Sequence, residues 1–255
     1  MKKIFFYLIA STFLVITSGC EKEIMHKAGY NSTDKSKALV KINYMSLYAA
    51  NPGVQLSINN VRVSGLITGR TPFPGGGYNT NGSSFPDYLA LAPGSTELSI
   101  SIPNKGTNTD SILLFKTTIT LEAGKNQTVH VTDTAASTKT VTTIDDISLP
   151  AEGFAKLKFV NLMPNLPSVD LYYGSTLVAA GISYLSSSNY FTIAVPVTSL
   201  AWTIREAGTS ATSTALATYT SGNTTLNRRV YTAFAIGYKG STDAARKPYI
   251  SFNLN

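Results

Sequence analysis

Apolar and polar residues alternate along much of the chain with a period of two. Val54-Gln55-Leu56-Ser57-Ile58 is the cleanest run, and such alternation turns every second side chain of a strand toward one face, half buried on a core. Leu98, Ile100 and Ile102 repeat the pattern, as do Leu200, Trp202 and Ile204, and then Ile250, Phe252 and Leu254. Asn59-Asn60 separates the first run from Val61-Arg62-Val63. Two residues tolerant of positive φ between two strands predict a two-residue hairpin. Val169-Asp170-Leu171-Tyr172-Tyr173 followed by Gly174-Ser175 predicts the same device from different residues. No window of ten or more residues carries the helical period. The chain is expected to be all-β.

Sliding the chain along itself exposes a repeat. Shifted by 115 positions, residues 41–67 align without a gap on 156–182, with Lys41 on Lys156, Tyr44 on Phe159, Leu47 on Leu162 and Leu56 on Leu171. Further on the shift becomes 102, placing Tyr88 on Tyr190, Leu98 on Leu200, Ile100 on Trp202 and Ile102 on Ile204. The first copy therefore holds 13 extra residues, in the stretch around Pro72-Phe73-Pro74-Gly75-Gly76-Gly77, whose composition is that of a loop. Residues 68–84 are expected to be the most mobile part of the folded chain. Each copy has about a hundred residues, the size of a seven-strand sandwich. The expected architecture is two tandem immunoglobulin-like antiparallel β-sandwich domains, at 38–149 and 150–255. Asp145 to Gly153 reads as the linker between them.

The N-terminus adds an address. Met1-Lys2-Lys3 is a short basic region, and Ile4 to Ile16 is an apolar run too short to span a bilayer as a stable helix. Thr17-Ser18-Gly19 precedes Cys20, the single cysteine. The arrangement resembles the lipobox of bacterial lipoproteins, in the relaxed form common in Bacteroidota, with Thr17 where Leu is usual. The resemblance implies a signal peptide at 1–19, a diacylglycerol on the Cys20 thiol and a tether at 20–37. Glu21-Lys22-Glu23 resembles the signal that sends lipoproteins of that phylum to the outer face of the outer membrane. With one cysteine there is no internal disulfide, so the cores alone must hold the fold.

Lys158-Phe159-Val160-Asn161-Leu162-Met163-Pro164-Asn165-Leu166-Pro167-Ser168-Val169-Asp170-Leu171-Tyr172 resembles the opening signature of the family of unknown function numbered 4397. Tyr231 to Gly237 is similar to that family's late Tyr-Thr strand, and Gly124 to Val129 is its weaker echo in the first copy. That copy departs by its insertion, by Gln55 in the place of Asp170 and by Ala49 in the place of Pro164. The resemblance implies secreted, often tandem, immunoglobulin-like domains without an agreed activity.

Composition narrows the chemistry. Formal charge is +7 over the chain, and removal of Lys2 and Lys3 leaves 19 basic against 14 acidic residues, without a basic helix or cluster. Arg228-Arg229 is the only adjacent arginine pair and reads as a solvated turn, so nucleic acid is not an expected partner. There are two histidines: His26 lies in the tether, and His130, between Val129 and Val131, is expected on a strand surface. Neither supports a catalytic triad or a zinc site, so no catalytic residue, metal or cofactor is assigned. Asp133, Asp145 and Asp146 offer a weak calcium set, although adjacent acids in a linker are usually just solvated. Gly75-Gly76-Gly77 lacks the Lys and Ser/Thr of a phosphate loop.

Strand parity turns Tyr172 outward, where an aromatic face can stack on a sugar, although outward tyrosines more often cover strands and fill the rim. Asp110-Ser111-Ile112 and Asp133-Thr134-Ala135 resemble O-glycosylation triplets, with Ser111 and Thr134 as acceptors. The expected function is a non-catalytic outer-membrane lipoprotein, facing outward, that binds or adheres to a surface ligand, glycan or protein. The alternatives are a fimbrillin-like structural subunit of a surface assembly and a carbohydrate-binding accessory of nutrient uptake.

Overall fold

A computed structural model describes residues 34–69, 88–104 and 110–255, and Lys35–Asn255 pack as one compact unit. Cys20, Glu21, Lys22 and Glu23 lie outside the described residues, as does nearly all of the 68–84 loop. Of Ser111, only the backbone is described.

The first copy contains β1 (Ala38–Tyr44), β2 (Gln55–Ile58), β3 (Val61–Arg62), β4 (Leu89–Leu91), β5 (Gly94–Pro103), β6 (Asp110–Leu121), β7 (Asn126–Thr132) and β8 (Lys139–Ile144). They form two sheets, β4-β1-β7-β8 and β3-β2-β5-β6. The second copy contains β9 (Phe154–Leu162), β10 (Ser168–Tyr173), β11 (Thr176–Ser183), β12 (Ser186–Ser187), β13 (Phe191–Ala194), β14 (Trp202–Glu206), β15 (Ala217–Tyr219), β16 (Val230–Ile236) and β17 (Tyr249–Leu254). Its sheets are β12-β9-β16-β17, with β13 also on β9, and β11-β10-β14-β15. Copy for copy, the strand orders match. Pairing is antiparallel as expected, except that β1 runs parallel to β7 and β9 parallel to β16. These partners are separated by most of a repeat, so no hairpin sets their relative direction.

Alternation builds both cores. In sandwich one Val40, Ile42, Val54, Leu56, Leu98, Ile100, Val129 and Val131 close on one another. In sandwich two Leu157, Phe159, Leu171, Tyr173, Trp202, Ile204, Tyr231 and Phe252 do so. The hairpin turns are also as expected. Asn59 and Asn60 both have positive φ, 48° and 65°, the signature of a type I′ turn. Gly174 takes φ 59° at the equivalent corner.

One alignment is corrected. Ile58 pairs with Leu98, and Tyr173 pairs with Trp202. Since Ile58 and Tyr173 are equivalent, the counterpart of Trp202 is Leu98, not Ile100. Leu200, expected in the core, is 47% exposed and precedes the strand. A slip of two residues keeps every side chain on its face, so alternation cannot detect it.

The sandwiches pack through the sheets that contain β1 and β9. Thr132, at the end of β7, donates to the Leu162 carbonyl at the end of β9, and Arg246 Nε donates to the Leu47 carbonyl just beyond β1. Lys41, midway along β1, reaches the Leu254 carbonyl at the end of β17. Lys158, midway along β9, reaches the Ile144 carbonyl at the end of β8. These exchanged contacts set β1 and β9 side by side in the same direction. The starts of both strands, the 145–153 linker and Asn255 thus share one end of the molecule, here called the entry end because the chain comes in there at Lys35.

Candidate functional site

The seam between the sandwiches is the chemically richest place among the described residues, and parity explains how it arises. Side chains of β1 and β7 that alternate away from the core of sandwich one include Lys41, Asn43, Thr128, His130 and Thr132, all buried. Those of β9 and β16 include Lys156, Lys158, Val160, Leu162, Phe234 and Ile236, also buried. Met45, Val160, Leu162, Phe234 and Ile236 form a third apolar cluster. The outer face of each sheet is covered by the other copy rather than by water.

Toward the entry end the seam is charged. Asp145, with no exposed side-chain surface, accepts from Tyr88 Oη at 2.9 Å and from Thr128 Oγ1 at 2.5 Å. Lys158 Nζ lies 3.2 Å from its other oxygen and 2.7 Å from the Ile144 carbonyl. Lys41 Nζ donates to the Leu254 carbonyl at 2.6 Å and to Asn255 Oδ1 at 2.9 Å. Burial pulls the Lys41 ammonium down to about 8, against the pull of Asp145 in the other direction. Lys158 is likewise lowered by burial and partly restored by Asp145. Asp146, at the exposed rim, is held at about 2, first by its hydrogen bonds with Ser148 and then by Lys156.

Each copy adds one tyrosine to this layer. Lys41 Nζ sits 5.1 Å from the Tyr88 ring centroid, and Lys156 Nζ 5.2 Å from that of Tyr190. Lys41 aligns with Lys156 and Tyr88 with Tyr190, so one cation–π pair occurs twice, once per copy. The sequence held this signal as two identities between the copies. Identity between copies reads first as fold, so it does not by itself mark a cation–π pair.

His130 is buried, which corrects the expectation of a strand-surface residue. It points away from the core of sandwich one, as parity requires, but into the seam. Asn43 Nδ2 lies 2.9 Å from Nδ1, and Nε2 lies 3.3 Å from Thr143 Oγ1, so both ring nitrogens have a polar partner. Burial first, then Lys158 and Lys41, holds its pKa well below the usual imidazole value.

Asp145 is also a correction, since a solvated linker acid was expected. Asp133 binds Thr134 N and Tyr238 Oη at the far end of β7, so the three aspartates of the calcium set are not brought together. Tyr172 faces outward from the core, as expected, yet it is only 6% exposed. The Arg205 guanidinium lies 5.7 Å from its ring centroid and its hydroxyl donates to the Thr209 carbonyl. It is packed, not displayed. Thr134 is partly exposed beside a single 3-10 turn. Arg228 and Arg229 are exposed, as expected. Asp170 accepts from Gly181 N at 2.6 Å and Gly208 N at 3.0 Å, a local tie between β10 and two turns.

The seam opens to solvent where β8 diverges from the segment around β12. There a cleft of roughly 520 Å³ is lined by Thr142 and Thr143 from copy one and by Ser186, Ser187, Asn189 and Tyr190 from copy two, with Lys158 also contributing. This volume falls in the range of ligand clefts, ~300–1,000 Å³. Its lining combines hydroxyls, one amide, one phenol and the Lys158 ammonium with the aliphatic side chains of Val141, Ile144 and Leu185, and has no carboxylate.

A family model described as Domain of unknown function (DUF4397) matches residues 41–172, more than half of the chain. No curated protein sequence matches. Among solved structures, the chain is similar to a family 26 carbohydrate-binding module from Eubacterium rectale, solved with maltoheptaose. That match has 13% identity and a TM-score of 0.25, covering 83% of this chain and 95% of the other. It is also similar to a candidate cell adhesion protein from Bacteroides uniformis, at 9% identity and a TM-score of 0.26, covering 86% and 97%. At this level neither neighbour's ligand is transferred to this chain.

Proposed function

The chain belongs to the DUF4397 family, and from that premise we propose that it is a non-catalytic surface module that binds a glycan or protein ligand in the cleft where its two copies meet. The observation that carries the reading is that the cleft is built jointly: neither copy alone supplies both walls. A non-catalytic role is supported by where the reactive groups lie. His130 is enclosed in the seam with both ring nitrogens engaged, and Lys41 and Lys158 are committed to carbonyls and Asp145. We further propose that the module is carried on a lipid at Cys20 and faces outward from the outer membrane, on the strength of the lipobox-like run and Glu21-Lys22-Glu23 behind it.

The test is an array of glycans and matrix proteins probed with the mature chain and with Ser187→Tyr, which places a ring in the cleft from an exposed position. The expected result is a specific ligand for the native chain and at least a tenfold loss for the variant. A ligand retained at full affinity by Ser187→Tyr would move the site elsewhere. For the anchor, Cys20→Ala should abolish incorporation of a labelled fatty acid.

A further inference from the structure

Exposed apolar surface is distributed unevenly between the two ends of the molecule. Thirteen large hydrophobic side chains are exposed among the described residues. Leu66, Ile112 and Leu113 lie toward the far end, and the other ten lie at or near the entry end. Val197 is the extreme case at 108% exposure, and Leu149 reaches 60%. Phe154, Val195, Leu200 and Leu226 are also among the ten.

They come from separate segments that the fold joins. Val195 N donates to the Gly153 carbonyl, tying the 195–201 loop to the linker. Leu200 lies against Gly174 at the β10–β11 turn, and Ser199 against Gly222 in the next loop. Arg228 N donates to the Phe154 carbonyl. The exposed apolar residues of sandwich two are therefore gathered on neighbouring segments at its entry end, a placement that suits a contact surface. Cations flank it: Arg228 and Arg229 on sandwich two, and Lys35, Lys37 and Lys125 on sandwich one, all exposed. Glu122 and Glu152 are exposed at the same end.

We propose that the entry end is a lipid-facing surface, with its apolar loop residues entering the headgroup region of an anionic bilayer and its arginines and lysines meeting lipid phosphates. This rests on the lipid-anchor reading of Cys20. Fourteen residues lie between Cys20 and Lys35, a stretch that spans at most about 54 Å when fully extended, so an anchor at Cys20 confines this end to the neighbourhood of the membrane. Apolar side chains flanked by Lys and Arg suit an interface whose outer layer is charged and whose inner layer is hydrocarbon. The far end then points away from the bilayer.

The test uses the full acylated chain reconstituted in vesicles of equal parts phosphatidylcholine and phosphatidylglycerol. Acylation of Cys20 leaves a thiol introduced by Val197→Cys, or by Leu66→Cys as the far-end control, as the only one free for an environment-sensitive fluorophore. The label at 197 should shift to the blue and be shielded severalfold from an aqueous quencher, while the label at 66 stays accessible. Arg228→Glu with Arg229→Glu should return part of the quenching at 197. Flotation with the vesicles but equal quenching at both positions would overturn the surface and leave the anchor standing. Failure to float, with Cys20 titrating as a free thiol, would sink the anchor and the surface together. Shielding that needs no vesicles and rises with protein concentration would assign the entry end to a second copy and overturn the proposal.

Discussion

The two sandwiches share a strand order yet fill it with different material. Core one is almost wholly aliphatic, with Tyr44 its one fully embedded aromatic among the described residues. Core two stacks Tyr173, Trp202 and Phe252, with ring centroids 4.4 and 5.5 Å apart along the series, and adds Phe159 and Tyr231. Topology therefore follows where apolar residues fall, while volume is negotiated locally. The outer faces differ as well. Sandwich one presents mainly Lys41, Asn43, Thr128, His130 and Thr132 to the seam, with Met45 its contribution to the apolar cluster, whereas sandwich two presents Val160, Leu162, Phe234 and Ile236 beside Lys156 and Lys158. A polar face tolerates water and an apolar one does not. The copies are therefore expected to be unequal partners, with the second depending on the first more than the reverse.

The sharpest way to break that comparison is to empty each core at the equivalent position. Trp202→Ala should cost about 3–5 kcal/mol, because it removes the largest fully buried side chain together with its hydrogen bond to Thr224 Oγ1. Limited proteolysis with mass identification should then find residues 150–255 cut while 38–149 survives behind its polar face. Leu98→Ala, at the equivalent position, should cost less on average, yet its unfolding should take both copies, since it strips the cover from Val160, Leu162, Phe234 and Ile236. Survival of the second copy alone would show that the copies are equal.

A smaller effect is expected at the charged layer. Asp145→Asn leaves the Lys158 ammonium buried without its counter-charge and should cost ~3 kcal/mol by chemical denaturation. Asp146→Asn, at the exposed rim, should change stability by well under ~1 kcal/mol. Equal effects would mean that the layer is open to water.

The mildest test is pH. His130 stays neutral in the folded chain below the pH at which it would protonate when unfolded. In that window the unfolded state binds the extra proton, so stability should fall as pH drops below ~6.5, with a slope approaching ~1.4 kcal/mol per pH unit. Melting of His130→Gln should lose this part of the slope. An unchanged slope would place the titration in other groups.

The all-β class, the strands, the hairpin corners at Asn59-Asn60 and Gly174-Ser175 and the equivalence of the two copies were all determined locally. Alternation and turn chemistry act within a few residues, so a linear chain displays them directly. The same local logic turned His130 and Tyr172 away from their cores, which is correct, but it could not say what lay on the other side. That was decided by tertiary structure. Sandwich two covers His130, Arg205 and the Thr209 carbonyl cover Tyr172, and Asp145 is drawn from an apparent linker into a buried pair with Lys158. The two-residue slip that makes Leu98 rather than Ile100 the partner of Trp202 is of the same kind. Parity specifies a face, whereas register and burial depend on segments a hundred residues apart. The cleft between Thr142 and Ser187 exists for that reason alone, since its walls come from different copies and meet only when the seam closes.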